Sequence, residues 1–154
     1  MMIKVGFVKL ENYPENIEVE GKMVAPTWQF AHKGDACADI YAAKLTILDV
    51  NDTKVIPTGV KLEIPEGYEV VIRPRSGMTK KGLFTQIGTI DSNYKGEIGV
   101  SLHNASGMKK IIQRGERIGQ VAIRKTEDVS FVVMDESELT DSERGDKGFG
   151  STGK

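Results

Sequence analysis

The sequence is poor in the residues that build covalent or metal-held frameworks. Cys37 is its only cysteine, which excludes an internal disulfide framework and fits a reducing compartment. His32 and His103 are the only histidines; with no His-x-Glu and no paired cysteines, a zinc centre has no ligand set. Neither sign of charge dominates: 21 basic residues stand against 22 acidic ones, a net charge of -1, so no electrostatic footprint favours polymeric nucleic acid or a membrane surface. Long apolar runs are missing as well. Residues 1–10 alternate apolar with other residues and hold nothing resembling a signal peptide or a membrane span, so a soluble cytoplasmic protein is expected. Aromatic residues make up only 6 % of the chain while glycine is frequent at 17, a balance that favours short strands and tight turns over a helical bundle. The 154 residues suffice for one domain with a real core and are too few for two.

What is present reads as all-β. Segments 3–9, 38–43, 45–50, 54–56, 60–64, 69–73, 99–104, 109–112, 117–124 and 130–134 are rich in β-branched residues. Turn signals such as Asn51-Asp52, Pro57-Thr58-Gly59 and Pro65-Glu66-Gly67 separate them. Residues 11–22 read as a polar loop, Trp28 and Phe30 as cover for one end of the core, and 76–81 as one short helix capped by Ser76. Beyond Met134 the chain turns acidic, then rich in glycine and small polar residues, and such a tail cannot bury enough apolar surface to order itself. The expected organisation is a β domain over 1–142 and a flexible C-terminal arm over 143–154.

Chemistry concentrates in a few stretches. In Gly88-Thr89-Ile90-Asp91-Ser92-Asn93-Tyr94, the Asp-Ser-Asn run reads as the turn of a hairpin that carries a carboxylate and an aromatic ring at its tip. A solvated turn fits these residues as well as a small-ligand site does. Arg75 and Ser76 follow a strand and offer donors suited to phosphate, or simply make a strand-to-helix turn. Asp35 and Asp39 suit a hard cation held directly or through water, or are an ordinary turn acid and strand-end acid. Residues 148–154 match the spacing of a phosphate-binding P-loop up to Lys154, but the Ser/Thr and the helix that a P-loop opens do not follow. Their glycines and hydroxyls still suit phosphate oxygens, with Arg144 as a further donor.

In order, Gly-Asp-Ala-Cys-Ala-Asp-Ile (34–40), Pro-Arg-Ser-Gly (74–77), Gly-Thr-Ile-Asp-Ser-Asn-Tyr-Lys-Gly-Glu (88–97), Arg-Gly-Glu-Arg-Ile-Gly-Gln (114–120) and Arg-Gly-Asp-Lys-Gly-Phe-Gly-Ser-Thr-Gly (144–153) resemble the five motifs of the trimeric dUTP diphosphatases. The resemblance implies a jelly-roll-like β-barrel and a homotrimer with active sites at its subunit interfaces. It also implies Mg2+-assisted hydrolysis of dUTP to dUMP and pyrophosphate by water attack at the α-phosphorus, which limits uracil in DNA and supplies dUMP for dTMP synthesis. Carried over by position, Asp91 is similar to the acid that holds the sugar 3'-hydroxyl and orients the water. Tyr94 is similar to the ring under the deoxyribose that leaves no room for a 2'-hydroxyl, and the backbone around Thr89, Ile90 and Gly99 to the part that reads uracil. Arg75, Ser76, Gly77 and Gln120 match phosphate-chain positions, and Asp39 the acid that reaches magnesium through water, the metal being held mainly by the triphosphate. Arg144, Gly150, Ser151 and Thr152 match the γ-phosphate region of the mobile arm, and Phe149 its uracil-stacking ring.

Three departures accompany the resemblance. Cys37 stands where the family usually has glycine, Thr85 where some members place an asparagine beside the base, and residues 11–22 form a longer segment than expected. That segment would be the surface for a second role, as a regulatory binding partner of a repressor protein. The related dCTP deaminases carry a glutamate ten residues after the hairpin aspartate; Ser101 occupies that place here and leaves deamination without its proton carrier.

Overall fold

The computed structural model of the chain describes residues 2–146. Its regular elements are β1 (Gly6–Lys9), β2 (Glu18–Val19), β3 (Lys22–Met23), β4 (Ala38–Tyr41), β5 (Thr46–Leu48), β6 (Thr53–Pro57), β7 (Val60–Glu63) and β8 (Tyr68–Arg73). The single-turn helix α1 (Ser76–Thr79) follows, then β9 (Leu83–Thr85), β10 (Gly88–Ile90), β11 (Gly99–Asn104), β12 (Lys110–Ile112), β13 (Arg117–Lys125) and a 3-10 turn at Glu136–Glu138. The fold is all-β and jelly-roll-like. A four-stranded sheet in the order β10-β8-β13-β4 and a three-stranded sheet β6-β11-β9 share one core, flanked by the pairs β1-β7, β12-β5 and β2-β3.

Strand sequences match their places in these sheets. In β11, Val100, Leu102 and Asn104 point inward while Ser101 and His103 alternate outward, as expected for a strand with one wet face. Strand β8, central between β10 and β13, instead buries the consecutive run Val70-Val71-Ile72, each side chain contributing roughly 1.5 to 3 kcal/mol of burial. Asn104 has no exposed surface, yet its amide donates to the carbonyls of Leu48, Asp49 and Met108 and its oxygen accepts from Ser106. A fully satisfied buried amide of this kind fixes the end of β11 without the penalty of an orphaned polar group.

Several local expectations change. Residues 88–98 are not a two-strand hairpin: β10 pairs with β8, whereas β11 pairs with β6 and β9, so the Asp91 turn crosses from one sheet to the other. The helix ends at Thr79 and Arg75, not Ser76, holds the N-cap position, with no side-chain cap. The loop expected over 11–22 contains β2 and one residue of β3, a small hairpin that Val24 extends by donating to the Ile17 carbonyl at 2.7 Å. Trp28 packs edge-on against Phe7 at 5.4 Å as core cover should, while Phe30 lies exposed. Residues 130–134 belong to no strand of the described chain, and Phe131 and Val133 are 97 % and 100 % exposed.

Candidate active site

Two clefts collect most of the chemically suggestive residues. The first, about 230 Å3, lies where β10 hands over to β11 and is walled by Thr89, Ile90, Asp91, Tyr94, Glu97 and Gly99. Asp91 directly follows β10, and its carbonyl accepts the Tyr94 N–H at 3.1 Å, closing the turn that its short side chain favours. Among the described residues no group pairs with its carboxylate, which leaves both oxygens for a ligand. Tyr94 lines the cleft, and its hydroxyl folds back to donate to the Glu97 carbonyl at 3.0 Å. This requires glycine at 96, where a Cβ would lie 2.6 Å from the Tyr94 Cζ. Glu97 is held in turn by the Gly59 N–H at 2.8 Å and by Asn12 Nδ2 at 3.3 Å. Gly96→Ala is therefore expected to push the ring out of place and break the Tyr94–Glu97 hydrogen bond, with the melting temperature nearly unchanged; shifted NMR resonances of the Tyr94 ring beside a thermal melt check it.

The second cleft, about 540 Å3, opens at the far end of β8 and is lined by Asp35, Cys37, Asp39, Arg75, Ser76, Arg117 and Gln120. Its centre is Asp39, 15 % exposed, whose Oδ1 accepts Arg75 Nε at 2.6 Å and whose Oδ2 accepts Arg117 Nη1 at 3.3 Å. One carboxylate thus orients two guanidinium groups, each with further N–H donors in its planar fork. Gln120, opposite Asp39 in the sheet, donates through Nε2 to the Pro74 carbonyl at 2.7 Å and steadies the chain entering Arg75. Burial, then the charge of Asp39, push the Tyr41 phenol up, so a neutral hydroxyl flanks the cluster. Asp35 is engaged in its own turn, accepting the His32 N–H at 2.8 Å. Gly77, the second residue of α1, is not part of this lining; a Cβ there would touch only the end of the Arg75 side chain, at 3.7 Å.

Not every expected residue joins a cleft. Thr85 is buried and its hydroxyl donates to the Ile118 carbonyl at 2.6 Å, so the structure puts it between the sheets and not at a ligand surface. Ser101 donates to Gln86 Oε1 at 2.8 Å on the outer face of β11. Arg144 sits in a turn closed by the Gly145 N–H and the Ser142 carbonyl at 3.1 Å, outside the lining of both clefts. Phe149, Gly150, Ser151 and Thr152 lie outside the described residues. Conversely, Arg117 and Glu97 enter clefts although sequence reasoning passed over both as site residues. Arg117 stands inside a stretch already singled out, but nothing in its residue type says which face of β13 it takes.

The clefts have no lining residue in common, although the first reaches along β10 to Gly88 and Ile72 and the second begins at Pro74, two residues further on. Ile90 is opposite Val70 and Gly88 opposite Ile72, so Asp91 continues toward Glu69 while Arg75 leaves the other end of β8. From Glu69 to the end of β8 at Arg73 is four residue steps, roughly 13 Å at a strand rise of about 3.3 Å per residue, and Pro74 and Arg75 lie beyond it.

A family model described as dUTPase matches residues 24–153. Among similar proteins, the deoxyuridine 5'-triphosphate nucleotidohydrolase of Thermobifida fusca is 40 % identical over 132 residues, covering 83 % of this chain and 73 % of its own. That of Fusobacterium nucleatum is 47 % identical over 103 residues, or 65 % and 69 % of the two chains. Among solved structures, the dUTPase of Staphylococcus bacteriophage 80alpha with dUPNHPP superposes with a TM-score of 0.82 at 28 % identity, over 97 % of this chain and 98 % of that one. A dUTPase from phage phi11 of S. aureus, studied for its coordination of a structural Mg(II) ion, shares the fold with a TM-score of 0.73 at 24 % identity.

Proposed function

The chain belongs to the dUTPase family, and on that premise we propose that its two clefts serve opposite ends of one dUTP molecule in sites completed by neighbouring subunits. The reaction is hydrolysis of dUTP to dUMP and pyrophosphate. In our reading Asp91 accepts the 3'-hydroxyl and orients a water, taking its proton as the water oxygen bonds the α-phosphorus and the α–β bridging bond breaks. Tyr94 supports the deoxyribose, the backbone at Thr89, Ile90 and Gly99 reads the base, and the Arg75 guanidinium with Ser76, Gly77 and Gln120 holds the phosphate chain. Arg144, Phe149, Gly150, Ser151 and Thr152 act from the arm. Thr85, tied to Ile118, is left out of the base contact.

Magnesium fits these residues only as an ion the substrate brings. Among the described residues no group of three His, Cys, Asp or Glu could hold a metal ion. Mg2+ commonly binds through one or two carboxylates plus substrate phosphates, and Asp39, which keeps lone pairs beyond its arginine contacts, can accept a metal-bound water. When bound, the ion would draw charge from the triphosphate. No helix of the described residues is long and apolar enough to cross a membrane, and the single cysteine supports a cytoplasmic placement.

What supports the composite site is the offset between Asp91, level with Glu69 near one end of β8, and Arg75, two residues past the other end, more than roughly 13 Å along the strand and too far for one chain to put both on the same α-phosphate. The apolar surface left bare at residues 129–134 adds to it, since such a stretch is costly unless a neighbour covers it. A homotrimer meets both demands. The activity itself is tested by dUMP and pyrophosphate release from dUTP, dTTP, dCTP and UTP. Strong preference for dUTP is expected; equal turnover of dCTP or UTP would refute the reading.

A further inference from the structure

Strand β13 carries an irregularity that decides which way Arg117 points. Its register against β4 runs Arg117 opposite Tyr41, then Gly119 opposite Ile40 and Gln120 opposite Asp39, so Ile118 is an extra residue with no partner across the ladder. In a regular strand residues three apart face opposite ways; the extra residue restores Arg117 to the face of Asp39 and Gln120. The burial pattern agrees, with Ile118, Gly119 and Val121 inward and Arg117 and Gln120 partly exposed.

Something must hold such a bulge, because the carbonyl of its unpaired residue would otherwise be a buried orphan. Thr85 does so: its buried hydroxyl donates to the Ile118 carbonyl at 2.6 Å, and its methyl fills the space over Gly119, where a Cβ would stand 3.3 Å away. On the other side, Gly115 N–H donates to the Ala42 carbonyl at 2.7 Å and Ala42 N–H to the Glu116 carbonyl at 2.8 Å, fixing the turn that leads into Arg117. Arg117 then meets the second oxygen of Asp39, whose first oxygen holds Arg75.

We propose that Arg117 is a positioning residue for phosphate-chain binding, aimed by the Thr85-pinned bulge and acting through Asp39 on the guanidinium of Arg75. Held at one oxygen only, Asp39 would be free to swing and Arg75 with it; held at both, it presents the Arg75 fork in one orientation. The proposal rests on the dUTPase reading and gives Thr85 a role inside the protein.

The test is a double-mutant cycle on the full chain, reading dissociation constants for dUpNHpp and for dUMP, which lacks the outer phosphates. Arg117→Ala should weaken dUpNHpp binding about tenfold, the scale of one charge-assisted contact, with dUMP affinity changed less than about twofold and the assembly retained. In an Asp39→Ala background, Arg117→Ala should cost nothing further. Thr85→Val, which keeps the shape and removes the hydroxyl, should show the same dUpNHpp-against-dUMP split in smaller measure. Arg117→Lys, whose point charge lacks the fork, carries the comparison if the alanine variant folds poorly. Additive losses in the cycle, or equal losses for both ligands, overturn the positioning role. Turnover of dUTP by the wild-type protein tests the underlying reading separately.

Discussion

Asp91→Asn is expected to fold and assemble as the wild type does while its kcat for dUTP falls by roughly two to four orders of magnitude. The structural half follows from its position: Asp91 is an exposed turn residue whose carboxylate holds nothing among the described residues, so no fold contact is lost. The chemical half follows from the role assigned to it. An amide keeps the size and one acceptor of the acid but cannot take a proton from water, and its NH2 presents a donor where the carboxylate offers only acceptors. Because the missing step belongs to the transition state, kcat should fall with KM little changed. Steady-state kinetics beside a thermal melt checks this; near wild-type kcat would mean that the turn is only a turn.

Removal of the chain after Ser142 should have the next largest effect, a fall in kcat of about a hundredfold, the penalty a modest loss of alignment can carry. Residues 135–146 are exposed throughout and add nothing to the core, so the fold should survive the cut. The composition of 143–154 explains the cost: ordering a glycine-rich run takes roughly 1 to 2 kcal/mol per residue, and in our reading only the stacking of Phe149 on a base and the contacts of Arg144 with phosphate offset it. Closure would exclude water and steady the phosphate chain. Phe149→Trp should accordingly change its fluorescence when dUpNHpp is added. Unimpaired turnover by the truncated chain would remove the arm from the mechanism, and the Arg144, Phe149, Gly150, Ser151 and Thr152 roles with it.

The parts legible in the sequence were those governed by local rules. The apolar run of β8, the alternation of β11 and the turn residues between them announce an all-β chain, and the Asp-Ser-Asn run marks a real turn at Asp91. What could not be read depends on partners distant in sequence. A turn between two strands looks like a hairpin whether or not they share a ladder, and here β10 and β11 pair with different neighbours. Residues 130–134 have the β-branched composition of a strand, but composition says nothing about which edge will accept it. Ser76 has the right side chain for a helix cap, yet the backbone turns one residue earlier, at Arg75. Arg117 is the sharpest case: strand periodicity puts it on the face opposite Gln120, and only the bulge at Ile118, held from another strand by Thr85, brings it to Asp39.

The composite site is tested most directly by subunit mixing. Asp91→Asn disables the first cleft and Arg75→Ala the second, and each variant alone should be nearly inactive. When the two are co-assembled, a site that takes its first cleft from an Arg75→Ala chain and its second from an Asp91→Asn chain is intact, so about one site in four should recover under random mixing. Restored dUTP hydrolysis in the mixed assembly, absent from either parent, is the predicted result. A mixture that stays as inactive as its parents, although mass analysis shows mixed oligomers, would contradict the account.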